Sequence, residues 1–466
     1  MTTPFTLTYV EQAGPAADSG LWNHPDFEPE LFKKPSYWNA LARQLEDAGF
    51  TALFIADMPS VGSDIPAQHE HQLRQGFGPR IDPTYLIPGM SRAARQLGFV
   101  VTSSITYDHP YRLARKFATL DHLTGGRVGW NMVTTNARQA ALNHGLADLL
   151  EHDDRYDRGD EFLAVAYALW NDSWDDDAIR RDADSGVYID SDKVRPVDHR
   201  GPRFAVQGIP VFAPSPQRTP VLFQAGSSER GREFAATHAE VVYLNAVSAE
   251  ETSFLVSDIR NRAEKHGRDP QSLRFLPRII PVVGPTRTAA ERKYEDFVDH
   301  HDEGSAAFVL KQWAGIDVDA LPDTGEINLD DLPVEGQTSQ HTADYLRRLS
   351  RSGRRFTKRD LLRAYAFGGE GNVQVGTGSE IVDQLERFRD ETGVDGFNVA
   401  YMLRQHSLND FVQYVVPELR ARGLLETPDA DHSSPSTLRE KLTGTGPQLP
   451  VDHPGRRAHN LAGHTA

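Results

Sequence analysis

The sequence contains no cysteine. That excludes disulfides, thiolate metal sites and a cysteine nucleophile, and it fits a reducing compartment. No run approaches the roughly 18 apolar residues that a membrane helix needs. Residues Met1 to Gly14 also lack a charged segment followed by an apolar one. The expectation is a cytoplasmic protein. No Gly-x-Gly-x-x-Gly follows an apolar run, so the fingerprint of a nicotinamide site is missing. Cations are in short supply: 50 Lys and Arg against 66 Asp and Glu give a formal net charge of −16. Such a surface repels nucleic acid phosphates and anionic lipid, so neither a nucleic acid nor a membrane is an expected partner, and a small organic molecule is the better default.

What is present is an alternation. Short apolar, β-branched runs bounded by Gly, Pro, Asp or Ser are separated by segments of helical spacing, the pattern of a parallel sheet with crossover helices. The expected strands are Phe5 to Tyr9, Ala52 to Ala56, Gly98 to Thr102, Val128 to Val133, Val221 to Ala225, Glu240 to Leu244, Phe275 to Val283 and Gly396 to Met402. Eight is the number that a closed α/β barrel, a (β/α)8 TIM barrel, requires. Ser36 can cap a first helix that carries Tyr37, Leu41, Leu45 and Ala48 on one face and ends at Gly49. A second helix opens near Ser379 and closes at Gly393.

Two segments exceed a minimal barrel and read as long insertions, about 138–219 and 286–375, within one domain spanning 1–425. The second opens with a possible capping box, Thr288 to Glu291, has an acidic middle near Pro322 to Gly336 suited to a lid, and ends in a basic run, Arg351 to Arg359. Residues 426–466 form an extended C-terminal tail rich in Pro, Ser, His and Gly, expected to wrap the surface or remain partly disordered.

Barrel enzymes build their sites on the loops after the strand C-termini. Four successive strands end in polar groups there: Asp57; Thr102, Ser103 and Ser104; Asn131, Thr134 and Thr135; Gly226, Ser227 and Ser228. In Gln224-Ala225-Gly226-Ser227-Ser228 the strand stops at small residues and runs into a helix, where free N–H groups and two hydroxyls suit a phosphate dianion. Taken alone, such a Ser is more often a plain helix cap. His24, His109, His144 and His152 are scattered, without His-x-x-x-His spacing, so no metal is expected. Asp121 and Arg127 flank a helix-to-strand turn and suggest a buried ion pair.

The run Tyr111 to Thr134, YRLARKFATLDHLTGGRVGWNMVT, closely resembles the nitrilotriacetate monooxygenase family of the bacterial-luciferase-like flavin monooxygenase superfamily. Further matches are Phe54 to Asp57, the pair His152 and Tyr156, Ser215-Pro216-Gln217, Gln224 to Ser228, and Thr437-Leu438-Arg439-Glu440, so the resemblance spans almost the whole chain. It departs from the family pattern at Ile105, at Asn143-His144-Gly145 and at Trp22-Asn23-His24-Pro25, changes that bear on the substrate more than on the cofactor.

The resemblance implies a two-component monooxygenase. FMN arrives as FMNH2 from a separate NAD(P)H:flavin reductase, and O2 activated on the flavin, as a peroxide or an N5-oxide, oxygenates a small nitrogen-, sulfur- or halogen-bearing substrate. By the same resemblance Asp57 and Thr102 contact the isoalloxazine, His152, Tyr156, Ser227 and Ser228 face the ribityl phosphate, and Asn131 lies near the reactive edge. Thr102 and Asn131 are then the catalytic pair that positions dioxygen, while the flavin itself carries the chemistry. A homodimer or homotetramer is expected. The competing readings are an F420-dependent oxidoreductase of the same superfamily and a non-catalytic flavin-binding protein.

Overall fold

Eight strands rich in β-branched and aromatic residues close into a parallel barrel. The structure is a computed structural model and describes residues 3–15, 20–61, 70, 73–74, 76, 78–245, 248–314, 316–328, 356–367, 373–427 and 436–456. The strands are β1 (Thr6–Gln12), β2 (Ala52–Ala56), β3 (Gly98–Ser104), β4 (Val128–Val133), β5 (Ile179–Asp182), β6 (Val187–Ile189), β7 (Val197–Arg200), β8 (Ala205–Gly208), β9 (Val221–Gln224), β10 (Val241–Leu244), β11 (Arg274–Val283), β12 (Val373–Gly376) and β13 (Gly396–Val399). Around the barrel the order is β1-β2-β3-β4-β9-β10-β11-β13, with β13 returning to β1. All eight expected strands form, with ends shifted by a few residues.

Two small separate sheets and one further strand of the main sheet were not foreseen. β5–β6 and β7–β8 are antiparallel hairpins inside the first insertion. β12, placed by sequence inside the second insertion, is a ninth parallel strand. It pairs with the upper half of β11, Ile280 to Val283, while the lower half pairs with β10 and β13. Of the acidic lid, residues 329–336 lie outside the described residues, as do 351–355 of the basic run.

The period-2 alternation of each strand divides its side chains between two cores. Ala52, Phe54, Val100, Val221, Phe223, Val241, Tyr243 and Leu276 fill the barrel. Their neighbours Leu53, Ile55, Phe99, Val101, Leu222, Val242 and Phe275 pack outward against the helices. The seam between first and last strands is sealed by Glu11, whose buried carboxylate accepts from Tyr37 Oη at 2.6 Å, Tyr401 Oη at 2.5 Å and Arg404 Nε at 3.2 Å.

The tail is not a surface strap over its described part. Leu438 and Leu442, on the helix Leu438–Thr443, enter the barrel core from its N-terminal end. Thr437 and Glu440 form a capping box, and Leu438 N–H donates to Gly126 O at 2.8 Å. Gly126 is held at φ +84°, and a Cβ there would stand 2.7 Å from Thr437 Cγ2, so glycine answers both the backbone and the close approach.

Local expectations divide. Gly49 and Gly393 end their helices with φ of 93° and 71°. The first helix starts at Pro35, however, without the Ser36 cap, the second is capped by Thr377, and the second insertion's first helix is capped by Thr286 rather than by a box at Thr288. Asp121 and Arg127 are both buried but not paired. Asp121 accepts from Gln217 N at 2.8 Å and Gln217 Nε2 at 2.7 Å. Arg127 donates to the carbonyls of Ser91, Ala94, Leu97 and Thr124. Four backbone acceptors serve the spread guanidinium donors better than one carboxylate.

Candidate functional site at the barrel mouth

The C-terminal ends of β2, β3, β4 and β9 are neighbours, so the polar residues that terminate them share one rim. Thr102 and Asn131 are directly paired in the parallel register of β3 and β4. Both point inward on the face that carries Val100 below them. Asn131 Nδ2 donates to Thr102 Oγ1 at 3.1 Å, and Thr102 Oγ1 lies 3.4 Å from Ile55 O. Asn131 is 4% exposed, yet its Oδ1 has no hydrogen-bond partner among the described residues. Leaving a buried carbonyl unsatisfied costs about 1–3 kcal/mol, which marks the position as one able to receive a donor.

Asp57 follows β2 and is half-buried beside this pair. Burial pushes its carboxyl up from the ordinary range, while Arg80 and the Met58 N–H pull it back. Below lies an aromatic floor: Tyr243 stacks on Phe54 at 4.6 Å and on Phe223 at 5.3 Å between ring centroids.

A second group forms where β9 meets the helix Glu229–His238. Ser228 caps that helix, accepting from Gly231 N at 3.1 Å, and its hydroxyl is exposed. Gly226 and Gly231 face Tyr156: a Cβ on either would stand 2.8 Å from the Tyr156 hydroxyl, and one on Gly226 would collide with Gln224 Nε2. The two glycines therefore leave a cradle bounded by Tyr156 Oη, Ser228 Oγ and the first turn of the helix. Tyr156 is held by Phe234 at 5.6 Å, by His152 at 5.2 Å and by the Arg230 guanidinium 5.5 Å from its ring centre. Ser227 is exposed, and its carbonyl accepts from Arg232 Nη1 at 2.7 Å.

The structure thus assembles the expected residues as two clusters on one rim. Asp57, Thr102 and Asn131 stand at the mouth; His152, Tyr156, Ser227 and Ser228 stand beside it. The register Asn131 to Phe223 links them. A dihydroflavin mononucleotide fits this donor set: an unsatisfied amide oxygen where a ring N–H can donate, and an open helix N-terminus with hydroxyls where a phosphate is accepted.

Two residues received no role in the sequence reading. Gln224 is buried beneath the cradle, with Oε1 unpartnered among the described residues. Arg278, half-buried, lies on the strand face of Leu276 and is in register with Asn398 at the mouth. A charge in the apolar run Phe275-Leu276-Pro277-Arg278-Ile279-Ile280 was the available signal.

The histidines are less scattered than their spacing suggested. His24, Asp296 and His300 converge, with ligand atoms within 4.8 Å of one another. Both ring nitrogens of His24 are already engaged: Nδ1 accepts from Asp26 N at 3.1 Å while Nε2 meets Asp296 Oδ2 at 3.0 Å. His300 Nδ1 donates to Asp296 O at 2.8 Å. An accepting Nδ1 leaves the ring proton of His24 on Nε2, so His24 and Asp296 are joined by a hydrogen bond.

Residues 9–396 match the family model described as luciferase-like monooxygenase. Among curated relatives, a dimethyl-sulfide monooxygenase of Hyphomicrobium sulfonivorans is 40% identical over 92% of this chain and 87% of its own length. Nitrilotriacetate monooxygenase component A of Aminobacter aminovorans is 34% identical over 93% and 95%. Among solved structures, a riboflavin lyase crystallised with modified FMN and riboflavin superposes with a TM-score of 0.84 at 33% identity, covering 97% of this chain and 99% of that one. The closed parallel barrel, the rim of polar strand ends and this near full-length similarity agree, and the chain belongs to the luciferase-like monooxygenase family.

Proposed function

We propose that this protein is the oxygenating component of a two-component, FMNH2-dependent monooxygenase acting on a small organic substrate. A single observation carries the reading: the buried, unpartnered Asn131 Oδ1 shares a rim with the glycine-lined cradle at Ser228 and Tyr156. Reduced FMN supplies the electrons that activate O2. The chain's residues bind, orient and exclude water.

Ser227, Ser228 and the helix they precede hold the phosphate, with Tyr156 and His152 along the ribityl chain. Asp57 and Thr102 hold the ring. Asn131, fixed by Thr102, orients the reacting edge and, with Thr102, positions dioxygen. FMNH2 comes from a separate NAD(P)H-dependent flavin reductase, consistent with the missing dinucleotide fingerprint. No helix among the described residues is long and apolar enough to cross a membrane, and we place the protein in the cytoplasm as a homodimer or homotetramer.

The names of the relatives suggest the probes. Combined with FMN, NADH, a flavin reductase and isotopically labelled O2, the protein is expected to put label into dimethyl sulfide or nitrilotriacetate. If hydrogen peroxide accounts for all the oxygen consumed with every sulfide, sulfone and aminopolycarboxylate tried, the protein is a flavin binder and the proposal fails.

A further inference from the structure

Without cysteine, the sulfur of this chain is all thioether, carried by five methionines. Met90, Met132 and Met402 are at most 2% exposed, and Met1 lies outside the described residues. Met58 alone among the described methionines faces solvent, with 43% of its surface exposed. It stands at the barrel mouth, directly after Asp57, whose carboxylate accepts its backbone N–H. Its surroundings are fixed on both sides: Ile55 O lies 3.4 Å from the Thr102 hydroxyl, and Pro59 O accepts from Asn143 Nδ2 at 3.4 Å. A polarisable dialkyl sulfide is therefore held where the proposed site opens to solvent.

We propose that Met58 is a self-oxidation site, converted to methionine sulfoxide when the mouth turns over without an external substrate. The inference rests on the monooxygenase reading above. The oxidant is hydrogen peroxide, formed when O2 takes two electrons and two protons from reduced flavin that has no substrate to oxygenate. A sulfur lone pair of Met58 attacks one peroxide oxygen, the O–O bond breaks, and the departing hydroxide leaves as water with the proton of the transferred oxygen. Sulfur is oxidised by two electrons and peroxide is reduced by two. Peroxide released at the mouth meets Met58 before it reaches bulk solvent. The sulfoxide makes the residue after Asp57 polar and a strong acceptor, lowering the affinity of the mouth for reduced flavin and slowing the unproductive cycle until a sulfoxide reductase restores the thioether.

The test uses the full chain with FMN, NADH, a flavin reductase, O2 and excess catalase, followed by peptide mass spectrometry. The Met58 peptide is expected to gain the mass of one oxygen atom several-fold more than in protein given the same total peroxide from outside. Met58→Leu removes the gain, and excess dimethyl sulfide suppresses it. If dimethyl sulfide is oxygenated when supplied but Met58 stays unmodified in the reaction without it, this inference fails and the proposed function stands. If catalase abolishes the gain, Met58 is merely an exposed thioether and the inference fails. If no probe is oxygenated and Met58 reacts no faster than with external peroxide, both fail.

Discussion

Arg439 and Glu240 meet across 199 residues of sequence: Arg439 Nε donates to Glu240 Oε1 at 2.6 Å and Nη2 to Oε2 at 3.0 Å, both side chains almost wholly out of water. The guanidinium also donates to Gln217 O at 3.3 Å and Thr219 O at 2.9 Å. The pair therefore fastens the C-terminal helix to the foot of β9 and β10, and a two-pronged contact of this kind suits Arg over Lys.

Removing one partner leaves the other charged and unpaired in the core. Arg439→Met is expected to lower unfolding free energy by about 3–5 kcal/mol, read by denaturant titration. The double variant Arg439→Met/Glu240→Gln should recover part of that loss. A single-variant cost below about 1 kcal/mol, the scale of exposed pairs, would show that the contact does not anchor the helix.

Lys441 gives a pH signature at the same end of the barrel. Burial, with Arg127 nearby and despite Glu46, lowers its ammonium to about 8, while an unfolded lysine titrates near 10.4. Between these values the unfolded chain binds more protons, so its contribution to stability is complete above about pH 10.4 and is lost as pH falls toward 8. Unfolding free energy measured across that window should rise with pH more steeply in the parent than in Lys441→Met. Parallel slopes would contradict the assignment.

Ser228→Ala is expected to weaken reduced-FMN binding by roughly 1–2 kcal/mol, the scale of a hydrogen bond to a charged group. It also removes the cap on Gly231 N–H, at about 1 kcal/mol of stability. Ser228→Asp separates the two effects. It retains a capping acceptor and sets a negative charge against the phosphate, so thermal stability should hold while flavin affinity falls further. Equal flavin affinity in all three proteins would move the phosphate elsewhere.

Gly226→Ala places a methyl against Gln224 and 2.8 Å from the Tyr156 hydroxyl. Flavin affinity should fall by more than in Ser228→Ala, because the cradle itself is filled. Fluorescence titration with FMN checks this, and unaltered binding would show that the cradle is not occupied.

Asn131→Ala should weaken flavin binding by about 1 kcal/mol, the scale of one hydrogen bond, and impair oxygenation far more. Loss of one preorganised hydrogen-bonding group at a reacting centre costs on the order of 10²-fold, here read as product formed per NADH with peroxide making up the difference. Full coupling in the variant would exclude Asn131 from oxygen transfer.

The barrel was readable because each strand's local chemistry agrees with its tertiary role. Val128 to Val133 and Ala52 to Ala56 are short, mainly apolar runs, and their ends came out as expected. The rim followed from knowing which strand end bears the site. β12 was missed because Val373-Gln374-Val375-Gly376 is short, half polar and pairs only with the top of β11. Asp121 was assigned to Arg127, its neighbour in sequence; its real partner, Gln217, lies 96 residues away. Gln224 looked like the end of a strand, and only the fold shows it beneath Gly226. In the tail, composition predicted exposure, since few apolar residues are available, but Leu438 and Leu442 suffice when each lands in the barrel core.

A cylinder stoppered by residues near position 440 cannot be finished early in synthesis. When β13 emerges from the ribosome the wall can close, but Phe54, Val100 and Phe223 still look onto an open lower end. The nascent protein must wait, with its lining wettable from below, until Leu438 arrives. A chain ending just short of Thr437 is therefore expected to leave that apolar lining open to water.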